Sequence, residues 1–174
     1  MTNKEVSVEL VVGSQTIILG TEQICDVIRS FPDIDSNSKI FSEFAKSPSY
    51  KVRAEVASKD NLDEGTVNCL SNDTEIEVLR ELIRSQAARK HLKEEQFIKI
   101  LEKDGEVASR IASTLELFEN VDTQKIAELI LNNDDPSIRQ QLASNYSAPK
   151  KILIKLTKDS DPDVANSAKQ TISR

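Results

Sequence analysis

An internal echo constrains this chain more than any other feature. Val52-Arg53-Ala54-Glu55-Val56-Ala57-Ser58-Lys59 and Ile138-Arg139-Gln140-Gln141-Leu142-Ala143-Ser144-Asn145 are written in one frame. Val78-Leu79-Arg80-Glu81-Leu82-Ile83 and Val107-Ala108-Ser109-Arg110-Ile111-Ala112 fit the same frame. A truncated copy begins at Val164-Ala165-Asn166-Ser167-Ala168, so about five copies follow one another at intervals of 26 to 31 residues. A period of that length marks stacked supersecondary units, none of which buries its apolar face alone. Each copy carries an apolar pair at i and i+4: Val52/Val56, Val78/Leu82, Val107/Ile111, Ile138/Leu142 and Val164/Ala168. On a helix such a pair falls on one face. A small or aliphatic neighbour (Ala57, Ile83, Ala112, Ala143) lets the next layer approach. Second apolar runs lie between the copies, at Val67 and Leu70, Phe97–Leu101, Ile126–Leu131 and Ile152–Leu156. Each repeat therefore predicts two helices joined by a short turn.

The punctuation agrees. Asp135-Pro136 and Asp161-Pro162 set a side-chain acceptor before a proline at the first helical position, where the missing N–H loses nothing. Ser47-Pro48 is expected to do the same, Thr74-Glu75-Ile76-Glu77 to form a capping box, and Asp104 to open the third copy. Four glycines and five prolines are too few for an all-β sandwich with its frequent turns.

Ahead of the repeats, Val6, Val8, Leu10 and Val12 alternate with Glu5, Ser7 and Glu9, the period of a half-buried strand. Gly13-Ser14-Gln15 can reverse the chain into Thr16-Ile17-Ile18-Leu19, so 5–19 read as a β-hairpin. A lone hairpin is marginal in water, and its apolar face is expected to pack on the helix that follows. That helix is predicted to be capped by Thr21, to carry Ile24, Val27, Ile28 and Phe31 on one face, and to end at Pro32. Ser38 is expected to open another, with Ile40, Phe41, Phe44 and Ala45 apolar. Residues 1–46 thus read as a hairpin and helical cap over repeats spanning 47–174, since the end of a repeat array needs covering.

The pattern Asp-Asp-Pro-x-Ile-Arg-x-x-Leu-Ala-Ser-Asn, followed by a proline and a Leu-rich run ending in Asp, resembles the leucine-rich repeat variant and, more broadly, HEAT-like repeats. It is clearest in 134–164, good in 47–73 and looser in 74–133, where Asp104-Gly105 replaces Asp-Pro. The resemblance implies a mainly α fold: a short right-handed α-solenoid of helix pairs, first helices convex, second helices concave. It also implies scaffolding or protein recognition as the role.

Candidate chemistry is sparse. The net charge of −6 works against broad affinity for nucleic acid or an anionic membrane. Met1-Thr2-Asn3-Lys4-Glu5 lacks the layout of a secretion signal and no stretch has the ~18 apolar residues of a span, so a cytoplasmic, bacterial-type protein is expected. Cys25 and Cys69 read as reduced packing residues. His91, the only histidine, reads as a surface residue. Arg53, Arg80 and Arg139 read as structural partners of acidic residues in a neighbouring turn. The acids at 134–135 and 159–163 read as helix caps rather than a cation site, so neither cofactor nor metal is expected.

One feature points to a partner. Lys150, Lys151, Lys155 and Lys158 cluster on the last second helix, and the latter three form a stripe at i, i+4 and i+7. The bland alternative is a solvated face balanced by Asp159, Asp161 and Asp163. The expectation is a non-catalytic adaptor whose second helices, near 64–71, 93–103, 123–132 and 149–158, grip a protein or peptide. The chain would be a monomer, or a dimer through the hairpin. The alternative, a nucleic-acid binder resembling the HEAT-like DNA glycosylases, would use the same lysines. Four are few for that task, and only Tyr50 and Tyr146 are tyrosines, with no Trp to stack on a base.

Overall fold

A computed structural model describes residues 8–174, and these are mainly helical. Strands β1 (Glu9–Val12) and β2 (Gln15–Ile18) form an antiparallel hairpin. Its turn uses Gly13 at a φ of 62°, with nothing near its α-carbon, so backbone conformation rather than space calls for glycine. Val6 of the expected strand lies outside the described residues. Twelve helices follow: α1 (Thr21–Ser30), α2 (Ser38–Phe44), α3 (Tyr50–Ala57), α4 (Glu64–Ser71), α5 (Ile76–Arg84), α6 (Gln86–His91), α7 (Glu94–Leu101), α8 (Gly105–Thr114), α9 (Thr123–Leu131), α10 (Pro136–Ser144), α11 (Lys150–Leu156) and α12 (Pro162–Ser173).

Two compact units divide between His91 and Leu92. In the first, α3 packs between α1 and α5, and α4 between α2 and α6. In the second, α10 packs between α8 and α12, and α9 meets both α7 and α11. All five predicted apolar pairs are buried, as are Ala57, Ile83, Ala112 and Ala143 beside them. The second core adds an edge-on contact of Phe97 with Phe118, ring centres 4.6 Å apart. Helix α6 was not legible in the periodicity; Ser85 opens it, its hydroxyl accepting from the Ala88 amide.

Aspartate sets the helix starts. Asp63, Asp104, Asp122, Asp135 and Asp161 each accept from an amide one turn inside α4, α8, α9, α10 and α12. Pro136 and Pro162 occupy the expected first-turn position. Three other predicted caps differ. Gly20, not Thr21, precedes α1, and no side chain caps that helix. Ser49 rather than Ser47 precedes α3, so Pro48 stands outside it, and the Ser47 hydroxyl accepts from the Ser49 amide at 3.3 Å. Glu75 precedes α5 without a side-chain cap; its own amide donates to Asp73 at 2.9 Å, so the box predicted at Thr74 does not form.

The hairpin departs from expectation more sharply. Every residue of β1 and β2 is exposed, so its apolar face does not pack on α1. Ile40 of α2 also points outward at 40% exposure.

One ion-pair clamp recurs in both units. In the first, Arg53 of α3 bonds both carboxylate oxygens of Asp73 at 2.6 and 2.9 Å, and its remaining nitrogen reaches the carbonyls of Ser47 and Pro48. In the second, Arg139 of α10 bonds Asp159 at 2.8 and 2.8 Å and the carbonyls of Asn133 and Asp134. Each aspartate also accepts the amide two residues on, Glu75 or Asp161, tying the next helix in. Planar two-point pairing is the geometry a guanidinium satisfies and an ammonium does not. Burial alone would raise Asp73, but Arg53 and the amides of Glu75 and Thr74 together hold it below the usual carboxylate range. Arg139 does the same for Asp159, against a smaller opposing push from burial.

Aspartates depressed in the folded state contribute stability that is present above their unfolded pKa, near 3.9, and lost as pH falls through the lower folded value. Asp73→Asn and Asp159→Asn are expected each to lower unfolding free energy by about 3 kcal/mol at neutral pH. Urea titrations followed by circular dichroism would read this, and the gap to wild type should close in acid. A smaller gain is available at Thr66, whose buried hydroxyl has no hydrogen-bond partner among the described residues. Thr66→Val should raise stability by about 1 kcal/mol in the same titration.

Candidate functional site

The buried positions of the second helices set a common register. Gln96, Phe97 and Ile100 of α7 correspond to Ile126, Ala127 and Ile130 of α9 and to Ile152, Leu153 and Leu156 of α11. A helix buries a stripe rather than a run, so the intervening apolar residues turn outward. Leu129 is 42% exposed and Ile154 is 50% exposed. Half-buried Ile98 and Leu101 join Leu129 in an open groove of about 260 Å³ between α7 and α9, rimmed by Glu102 and Asp134. The sequence showed that one apolar residue of α11 must be left out, since Ile152-Leu153-Ile154 is one more than a helix face can hide, but not which one.

Charge on these helices changes from one to the next. Helix α7 opens with Glu94 and Glu95. Lys125 of α9 is paired with Glu94, and this contact raises the lysine's pKa through the hydrogen bond and the charge together. Helix α11 carries Lys150, Lys151 and Lys155, with Lys158 just beyond its end, and all four are exposed. None of them forms an ion pair or a side-chain hydrogen bond among the described residues. Two of the three acids expected to balance them are engaged elsewhere, while Asp163 lies exposed in the first turn of α12. Asp159 holds Arg139, and Asp161 caps α12 through the amides of Asp163 and Val164.

The lysines also oppose local helix stability. Lys150 and Lys151 fill the first turn of α11, after Pro149 and without an acidic neighbour there. Positive charge at that end costs a few tenths to about 1 kcal/mol. Helices α4, α7 and α9 instead begin with acidic residues: Asp63 and Glu64, Glu94 and Glu95, or Asp122. The stripe at 151, 155 and 158 therefore surrounds an exposed Ile154 with cations that the fold itself does not use.

Other candidates resolve as structure. Arg53 and Arg139 are the clamps described above. A wider cleft in the first unit, about 620 Å³, is lined by Glu22, Arg29, Tyr50, Lys51, Glu55 and Glu77 among others. Its cations are paired across it, Lys51 with Glu22 at 2.7 Å and Arg29 with Glu55 at 2.9 Å. His91 ends α6, half-buried. No group of three or more His, Cys, Asp or Glu among the described residues is arranged to hold a metal ion. Nor is any helix among them long and apolar enough to cross a membrane.

The two cysteines divide. Cys25 is buried on α1 as a packing residue, while Cys69 lies exposed on α4, contrary to expectation. It occupies the register position that holds Lys99, Leu129 and Lys155 on the other second helices, which faces away from the core.

Comparison of the chain with protein-family models, with curated proteins and with solved structures finds no match.

Burial pushes the Cys25 thiol up, and the nearby carboxylates of Glu55 and Glu22 push it further. Thiolate is the reactive form. A thiol-specific chromogenic reagent at mildly alkaline pH should therefore label one cysteine quickly in the folded protein, and Cys69→Ser should abolish that fast phase. Denaturant should release the second.

Proposed function

We propose that this chain is a non-catalytic protein-recognition module, an adaptor or scaffold of the HEAT-like and leucine-rich-repeat-variant kind. Its helix pairs continue one another as a short right-handed α-solenoid spanning 47–174, with α1 and α2 as its N-terminal cap. The partner is a protein or peptide segment of acidic character that lies on the second helices around α11.

One observation carries this reading. Lys150, Lys151, Lys155 and Lys158 are exposed around Ile154 and have no ion-pair partner among the described residues. Solvated charges on a protein surface commonly sit near opposite charges, and here Asp159 is engaged with Arg139 and Asp161 with the start of α12. Such a face offers an acidic segment both long-range attraction and an apolar anchor point, the combination that steers and then holds a partner.

Nucleic acid is the competing ligand for the same lysines. About four phosphate contacts would give a steep loss of binding with salt, on a protein whose net charge of −6 opposes approach.

The test is affinity capture from native lysate at two salt concentrations, comparing wild type with the triple variant Lys151→Glu, Lys155→Glu, Lys158→Glu. A defined protein retained by wild type and weakened at least about tenfold by the triple variant is the expected result. Retention of nucleic acid alone, removed by moderate salt, would replace this reading with the competing one. A protein retained equally by both would remove the lysines from the site.

A further inference from the structure

Between half-buried Val8 and Leu19, the hairpin stands uncovered. Its exposed strand residues include Leu10, Val11, Val12, Ile17 and Ile18, at 50 to 71% exposure. The register pairs Leu10 with Ile17, Val12 with Gln15, Glu9 with Ile18 and Val11 with Thr16. The Leu19 amide extends the ladder by donating to the Val8 carbonyl at 2.9 Å. Alternation therefore sorts the side chains onto two faces. One face holds Val8, Leu10, Val12, Ile17 and Leu19, with Gln15 its only polar member. The other holds Glu9, Val11, Thr16 and Ile18. Among the described residues the first face has no charge, in a chain where 30% of residues are charged.

We propose that this uncharged face is covered by the same face of a second copy of the chain, the two hairpins stacked about a twofold axis. A two-stranded sheet with both faces in water is marginal, and a hydrophobic face must find a cover. A contact between identical surfaces sets each residue near its own counterpart at the axis, so any charge there meets its like. This face avoids that penalty in a chain of net charge −6. Branched and aliphatic side chains on the two inner faces can interdigitate at the usual sheet-to-sheet spacing of roughly 10 Å. An acidic or basic partner segment would find no complementary charge here. Strands of four residues offer one face well below the roughly 1,200 Å² of lasting complexes, so the dimer is weak and concentration-dependent.

Because no strand residue belongs to the helical core, substitutions on the hairpin leave that core intact. Threonine keeps strand preference while removing apolar surface. Sedimentation equilibrium of the full chain, from low micromolar to near-millimolar concentration, should show the mass rising from 19.4 kDa toward twice that value. The double variant Leu10→Thr, Ile17→Thr should weaken association at least about tenfold, while Val11→Thr, Ile18→Thr on the opposite face should change it by less than about threefold. A wild-type chain that stays monomeric throughout overturns the proposal and leaves the face to a different protein. Equal weakening by both double variants, or growth beyond a dimer, overturns it as well.

Discussion

The pairing of an arginine on a first helix with an aspartate twenty residues later is the contact on which the repeat geometry turns. A guanidinium presents parallel donors in a plane, and a carboxylate presents two acceptors to match. That match fixes distance and orientation together. The third nitrogen binds carbonyls five and six residues earlier, and the aspartate binds the amide two residues later. One side chain thus joins the entry to its own helix with the turn leading into the next first helix. The surrounding apolar contacts are non-directional and would tolerate sliding; the clamp does not. Burying such a pair is not a route to extra stability in itself, since desolvation offsets much of the attraction. Its use here is to specify one arrangement.

The turns repeat this logic with weaker bonds. Asp33 accepts from the amides of Asp60 and Asn61, and Asp60 accepts from the amide of Gln86, so successive turns of the first unit are stitched side chain to backbone. In the second unit Asn145 donates to the carbonyl of Ala112 and to Glu116. Helices of six to twelve residues are marginal alone, and they hold here because tertiary packing and capped ends act together. Much of the charge in this chain is bound up in those tasks. Against that background the lysines of α11 differ, because the carboxylates nearest to them in sequence are bonded to other groups.

Much of the helical pattern was legible in the sequence because it rests on local rules. The i and i+4 apolar pairs are buried wherever they were expected, and Asp104, Asp135 and Asp161 cap as their positions implied. Errors arose where a neighbour competed. Asp73 takes the Glu75 amide because Arg53 already holds that carboxylate in place, leaving no cap at Thr74. Of the site, the four lysines could be named from their spacing. Which of the apolar residues would stay outside, as Leu129 and Ile154 do, that Arg139 would meet Asp159, and the exposure of Cys69 could not. Each depends on which side of its helix faces the core.

By itself, then, the sequence determined most of the helices, the aspartate caps at Asp104, Asp135 and Asp161 and the positions of the charges, since periodicity and capping act within one or two turns of chain. Tertiary structure alone decided which carboxylates each cation meets and which apolar residues stay outside. It also decided that the strands at 9–12 and 15–18 stay exposed: alternation shows a strand has an apolar face but carries no information about what that face will touch.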